Sequence, residues 1–388
     1  MKMKNVQRFS KYLIILFIFV LIFFAVFVLY TNFGCIIRQP FKNNGDVDTD
    51  SNANTNANAN AKIQSYIQQF KNKEHRIFPF RYFSDTNDNV LPFVAVTGPF
   101  RDETAKQRYF EYKEKGINIF GITAYKSFPN NKMFGKEEGE YERNDDFDYV
   151  GNIKDWLCCF KDRDTYGFSI FNNIIDISES DFYNAEDDVD ANKNTYKKYD
   201  FIYICNKDDD TCPLNGWNAV NRNFDLALKC FPVLCNEFHL KGLVVGRVGC
   251  GLEKQYGNKL EVVDWLDWHI LQEKMRESKI LFVPNIFDAS PRVIAECITK
   301  DIAVLMNRDI LCGSKYINYE TGEFFSDENE LKGALTNLLN RIYKISPKKW
   351  WQENHSQEKS QGLLRDFLAD AFPRSPLDDG INRVKFIL

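Results

Sequence analysis

Histidine is scarce in this chain: there are four among 388 residues, and His75 is the lone one ahead of residue 201. The first half therefore offers His75 alone as a histidine acid or base. The ten cysteines, at positions 35, 158, 159, 205, 212, 230, 235, 250, 297 and 312, contain no C-x2-C pair, which argues against a structural zinc site. Asp-x-Asp pairs, among them Asp48–Asp50, Asp188–Asp190 and Asp208–Asp210, lie in polar runs, and none stands at a convincing strand end. A carboxylate-held divalent metal is therefore not implied. There is no basic excess: 50 Lys and Arg face 54 Asp and Glu, for a net charge of −4. Nothing here marks a nucleic-acid binder, although a small anionic ligand needs only a local basic pocket. No internal repeat of fixed period is visible.

Charge, glycine and proline are all missing from the nineteen residues Tyr12–Tyr30, YLIILFIFVLIFFAVFVLY. A helix of that length nearly spans a bilayer core, and tyrosine at each end suits the two interfaces. Lys2, Lys4, Arg8 and Lys11 precede the segment, whereas Arg38 and Lys42 follow it more sparsely. The positive-inside rule then makes residues 1–11 a cytoplasmic tail, 12–30 a transmembrane signal anchor, and the remainder non-cytoplasmic. A cleaved signal peptide is the alternative; the apolar run is long for one, and no small-x-small site follows. Residues 31–76 read as a disordered stem, because 43–62 (NNGDVDTDSNANTNANANAK) carry almost no large apolar side chain to offset ordering entropy. Asn354-His355-Ser356 is a glycosylation sequon.

Beyond the stem the pattern predicts two α/β domains. In 77–178, strands are expected at Leu91–Thr97 and Ile117–Ile122, with a helix over Thr104–Lys115 between them. Tyr149–Phe160 is expected to contain a helix with Trp156 inward. Residues 179–200 are acidic and aperiodic and read as a linker. In 201–345, strands are expected at Phe201–Cys205, Leu243–Val245, Leu260–Val263, Ile280–Val283 and Ile302–Met306. Helices alternate with them at Trp217–Cys235, His269–Glu277, Pro291–Thr299 and Glu328–Ile345. Such alternation builds a Rossmann-like, doubly wound sheet. Residues 346–388 form a helical tail. Cys205 and Cys212 flank a polar loop and are a candidate disulfide pair, while Cys230 and Cys297 lie in apolar helical patterns, as small buried hydrophobes do.

The densest signal is Ile280–Glu296, ILFVPNIFDASPRVIAE. A buried strand ends at Pro284-Asn285, and a loop follows with Ser290 placed to cap a helix whose first residue is Pro291. A helix beginning just past a strand's carboxyl end is where α/β proteins hold phosphate-bearing ligands. Asp288 and Glu296, with seven residues between them, bring two carboxylates to that crevice. This resembles the donor-binding signature of GT-B glycosyltransferases, usually two glutamates at that spacing, with Asp here in first place. The resemblance covers 201–345, including Val304–Phe325, and implies two Rossmann-like domains in a GT-B-like arrangement. An anchor, a stem and a large globular part is likewise the layout of single-pass Golgi-type transferases.

The resemblance implies a retaining, group 1-like enzyme that moves a sugar from a nucleotide-sugar to a glycan or glycoprotein acceptor, with no cofactor and no metal. Arg222 and Arg247, each following a strand, would grip the donor diphosphate, and Glu296 would accept hydrogen bonds from ribose hydroxyls. Asp288, Ser290, Pro291 and Arg292 would line the sugar and phosphate side, with Lys207 as a further cation. Asp264 and Trp265 would adjoin the base. Asp102 and Glu103 are candidates for an acceptor base or an ordinary helix start. The rival reading is a membrane-tethered sugar- or nucleotide-binding protein without turnover; a phosphorylase or epimerase on the same fold is the third. Golgi or ER membranes suit the layout.

Overall fold

In the computed structural model the described residues are 61–123, 128–129, 145–158, 160–161, 173–183, 196–288, 291–373, 375, 377 and 380–387. The expected anchor and residues 31–60 of the stem lie outside them. Among the described residues no helix is long and apolar enough to cross a membrane.

The first sheet has six strands in the order β12-β1-β2-β3-β4-β5. They are β1 (Phe80–Ser84), β2 (Val90–Val96), β3 (Asn118–Ile122), β4 (Asp155–Cys158), β5 (Asn173–Asp176) and β12 (Lys385–Phe386). β2 through β5 are parallel; β1 runs antiparallel to both of its neighbours. Helix α1 (Glu103–Glu114) links β2 to β3, and Asp102 caps it by accepting the Ala105 N–H at 2.9 Å. That carboxylate is committed to the helix start, the plainer of its two sequence readings.

Two sequence expectations fail in this half. The stem does not run to residue 76: residues 61–67 are helical, and Ile67 and Phe70 are buried against Tyr82 and Tyr112. Ile63, Tyr66, Ile67 and Phe70 recur at helical spacing, so an apolar stripe begins as soon as the low-complexity run stops. Tyr149–Phe160 contains its helix as a single turn at Tyr149–Asn152, which gives way to β4, where Trp156 is inward as expected. The linker is packed at its start: Asp181, within a 3-10 turn at Glu179–Phe182, is buried.

The second sheet is wholly parallel, in the order β11-β10-β9-β6-β7-β8. Its strands are β6 (Tyr199–Ile204), β7 (Gly242–Val245), β8 (Leu260–Val263), β9 (Ser278–Val283), β10 (Ala303–Asn307) and β11 (Gly322–Phe325). Counted within this half the order is 3-2-1-4-5-6 reversed, the Rossmann arrangement expected from the alternating pattern. Both faces are covered. Phe201, Tyr203, Ile280 and Phe282 pack under α3 (Phe224–Phe231) and α7 (Glu328–Arg341). Ile202, Val245, Leu281 and Val283 pack under α5 (Trp268–Arg276) and α6 (Arg292–Ile298). Burial on two sides explains why these strands read as continuous apolar runs.

Trp217–Cys235 is not a continuous helix. α2 (Trp217–Asn221) stops, Asn223 turns left-handed at φ 48°, and α3 restarts at Phe224. Asparagine tolerates that conformation where a bulkier residue would not. Pro232, lacking an N–H, opens a wider π turn to Glu237. A short helix α4 (Leu252–Tyr256) follows β7.

The tail returns to the first half. After α8 (Pro347–Asn354), α9 (Gln357–Ala371) lays Leu364, Phe367 and Leu368 against Phe83, Phe93 and Phe120, and β12 then pairs with β1. The first sheet is thus completed by residues from the far end of the chain.

Candidate functional site

An all-parallel sheet reverses its winding where its first strand meets its fourth, and the loops leaving those strands diverge to open a crevice. Here that point lies between β6 and β9. A cavity of about 480 Å³ opens at their carboxyl ends, lined by Ile204, Val283, Asn285, Arg222, Asp288, Arg292, Glu296, Trp265 and Trp268 among others. Of the ten sequence-derived site residues, Arg222, Asp288, Pro291, Arg292, Glu296 and Trp265 come together on this wall.

Arg222 ends α2 immediately before the left-handed Asn223, so the chain turns just where the side chain must point out. Its carbonyl accepts from the buried Tyr203 hydroxyl at 3.1 Å. Its half-exposed guanidinium makes an ion pair with the largely buried Asp288 carboxylate. Asn285 donates to that same carboxylate at 3.2 Å. The Asp288 loop is braced by backbone bonds: Ile286 N–H to Asn221 at 3.4 Å, Leu311 N–H to the Ile286 carbonyl at 3.0 Å, and Cys312 N–H to the Asp288 carbonyl at 3.2 Å.

Helix α6 supplies a second cation and a second carboxylate. Ile294, Ala295, Cys297 and Ile298 anchor it in the core. Arg292 and Glu296, one turn apart on the outer face, line the cavity. Neither side chain has a hydrogen bond or ion pair among the described residues. The helix begins at Arg292, with Pro291 at the capping position, one residue later than the sequence reading. Ser290 lies outside the described residues.

The third wall is aromatic. β8 ends at Val263, and Asp264 accepts its neighbour's amide, Trp265 N–H, at 2.8 Å. Asp264 therefore shapes the turn and does not line the cavity. Trp265 is 57% exposed and Trp268 45%, and both face the opening. A packed core tryptophan was the alternative for Trp265; its exposure excludes that. Trp268 and Asn285 went unrecognised in the sequence, although Trp265-x-x-Trp268 at helical spacing was a visible cue.

Arg247 corrects the sequence expectation. It is fully buried and does not line the cavity. It follows Gly246, whose φ of 94° and close approach to the Cys205 carbonyl tuck the chain against β6: a Cβ there would sit 2.7 Å from that oxygen. The guanidinium lies over the Phe224 ring, donates to the Cys205 sulfur from Nε (3.2 Å) and Nη2 (2.9 Å), and stands 3.8 Å from Asp208. Among the described residues its buried Nη1 has no acceptor. Burial pushes the Cys205 thiol up, outweighing the nearby arginine, so the sulfur meets Arg247 as a neutral thiol.

Asp208 in turn accepts the Asn218 and Ala219 amides at the start of α2, at 2.7 and 3.1 Å. The disulfide joins Cys212 to Cys250, tying the loop after β6 to the loop after β7. The Cys205–Cys212 pairing is thereby overturned: Cys205 is held inward on the strand end by Arg247. Lys207 pairs with Asp210 at 2.7 Å and is not in the cavity wall. Among the described residues no group of three or more His, Cys, Asp or Glu is placed to hold a metal ion.

No protein-family model matches this sequence, and no curated protein matches it. Solved structures do resemble it. A sucrose-phosphate synthase from Thermosynechococcus elongatus matches with a TM-score of 0.48 and 12% identity, over 73% of this chain and 74% of that one. The pneumococcal O-GlcNAc transferase GtfA, in complex with UDP and GlcNAc, matches with a TM-score of 0.46 and 11% identity, over 68% and 54%. S. aureus TarM, a variant in complex with UDP among other ligands, matches with a TM-score of 0.47 and 12% identity, over 68% and 53%. The chain thus spans just over half the length of the last two. Superpositions this loose say nothing of reaction or substrate.

Proposed function

We propose that this chain is a glycosyltransferase that moves a sugar from a nucleotide-sugar to a glycan or glycoprotein acceptor. The observation that carries the reading is the cavity at the β6/β9 switch point, where Arg222, Arg292 and Glu296 meet Trp265 and Trp268. That set matches the parts of a nucleotide-sugar one by one. Two guanidiniums suit a diphosphate, which each can grip with parallel N–H donors. A half-buried carboxylate with no side-chain partner among the described residues suits vicinal ribose hydroxyls, to which it offers acceptors only. Exposed indole faces suit a base.

In the reaction, the bond from the sugar's anomeric carbon to the diphosphate oxygen breaks, and its electron pair leaves with the nucleoside diphosphate. Arg222 and Arg292 stabilise the charge that grows on that leaving group. The acceptor hydroxyl bonds to the anomeric carbon and gives its proton to the departing diphosphate. This path needs no protein base and no metal, in keeping with the capping role of Asp102 and with a retaining outcome. The acceptor would enter from the side of the first sheet. Tyr12–Tyr30 would anchor the enzyme as a type II protein with its globular part on the non-cytoplasmic, Golgi- or ER-type side.

The test is nucleotide release by the full-length protein in detergent, offered UDP-, GDP- and ADP-sugars with glycan and glycoprotein acceptors. Release of one nucleotide with labelled acceptor formed supports the reading. Nucleotide binding without release under every acceptor condition favours the tethered binding protein.

A further inference from the structure

The Asp288–Arg222 ion pair changes what the first carboxylate of the loop does. We propose that Asp288 is a positioning residue: it holds the Arg222 guanidinium at the cavity wall and does not itself take the donor's sugar hydroxyls. The assignment rests on the reading of this cavity as a nucleotide-sugar site.

Three features lead to it. The carboxylate is only 11% exposed, and its Oδ2 accepts from both Arg222 and the buried Asn285. Aspartate is one methylene shorter than glutamate, so its reach ends at the arginine. Its backbone is fixed as well. The Asp288 carbonyl accepts from Cys312, Ile286 bridges Asn221 and Leu311, and the buried Asn307 side chain donates to the Pro284 carbonyl at 3.0 Å. A side chain on so braced a loop sets the position of a longer, more mobile partner. Arg222 is that partner: its backbone is held by Tyr203, but its guanidinium is half exposed and carries several rotatable bonds. Glu296, with no partner among the described residues, keeps its carboxylate for ligand hydroxyls.

Two roles for Asp288 give opposite binding patterns. A carboxylate that touches the sugar matters to a nucleotide-sugar and not to the free nucleoside diphosphate. A carboxylate that orients Arg222 matters equally to both, and matters no further once Arg222 is gone. The experiment is calorimetric titration of UDP, GDP and ADP, and of UDP-glucose, GDP-mannose and ADP-glucose, into wild type, Asp288→Asn, Arg222→Ala and the double variant. For whichever pair binds wild type, Asp288→Asn is expected to weaken both members by the same factor, about tenfold, with the double variant no weaker than Arg222→Ala. Asn285→Ala, which leaves both charged groups in place, is expected to give the same equal weakening to a smaller degree, and it decides the matter if Asp288→Asn does not fold. Selective loss of the sugar conjugate, or factors that multiply in the double variant, overturns the assignment alone. Failure of wild type to bind any of the six overturns the nucleotide-sugar reading, and the assignment with it.

Discussion

The Arg247 guanidinium lies over the Phe224 ring, 4.3 Å from its centroid, and is fully enclosed. An arginine expected to grip a ligand is instead part of the core, held by a thiol, an aromatic face and a distant carboxylate.

That setting predicts how the position responds to substitution. A dry charge whose Nη1 has no acceptor among the described residues costs desolvation that its partners offset only in part, so an apolar chain of similar length should fit. Arg247→Met is expected to match or exceed wild-type stability, whereas Arg247→Ala, which leaves a void, should lose about 2–4 kcal/mol. Urea unfolding of the two variants checks this. A strongly destabilised Met variant would mean that the charge itself holds the β6 and β7 loops.

The Cys212–Cys250 disulfide closes a 38-residue separation between those loops. Restricting the unfolded chain to that extent is worth about 3–4 kcal/mol in the loop-entropy account. Replacing both cysteines with serine should lower the unfolding free energy by about that amount, and reductant should do the same to wild type. The other described cysteines are buried, so thiol labelling before unfolding should be slow.

Asp181 sets an acid limit on stability. Its carboxyl is pushed up by burial, the largest influence, but the His355 and Lys315 side chains and the Ser178 amide together hold it below the ordinary aspartate value. Lys315 lies 2.8 Å away and His355 Nδ1 3.3 Å. A depressed folded-state value stabilises above the unfolded value, and the contribution is lost as pH falls through the folded one. The stability gap between wild type and Asp181→Asn should therefore shrink as pH drops below about 4, the ordinary aspartate range. A gap that grows on acidification would contradict the sign.

The tail should be structural. Ending the chain at Phe372 removes β12 and the buried Leu377, Val384 and Phe386 from the face that Phe83 and Phe93 share. Three buried apolar side chains are worth about 5 kcal/mol together, a large part of a domain's net stability. The shortened protein is expected to unfold at markedly lower urea concentration, or to aggregate; unchanged unfolding would show that β12 contributes little.

The second half was largely legible because each of its elements carries its own period: β9 and α6 follow ILFV and RVIAECI almost residue for residue. The first sheet was less so, because β1 and β12 are joined across the whole chain, and no local pattern announces a two-residue strand. Within the site, the resemblance and the strand-end positions marked Arg222, Arg292, Glu296 and Trp265 as candidates. What stayed hidden were the side-chain directions. Gly246 turns Arg247 inward while Asn223 turns Arg222 outward, and both depend on left-handed backbone that the sequence signals only weakly.

The most direct test of the donor site is nucleotide binding and nucleotide-sugar turnover by full-length wild type beside Glu296→Gln, which keeps the shape and removes the charge. The account predicts that wild type binds one nucleoside diphosphate and releases it from the matching sugar conjugate, and that Glu296→Gln, folded as well as wild type, loses about tenfold or more in affinity for both. Equal affinity and turnover in the two proteins would contradict it.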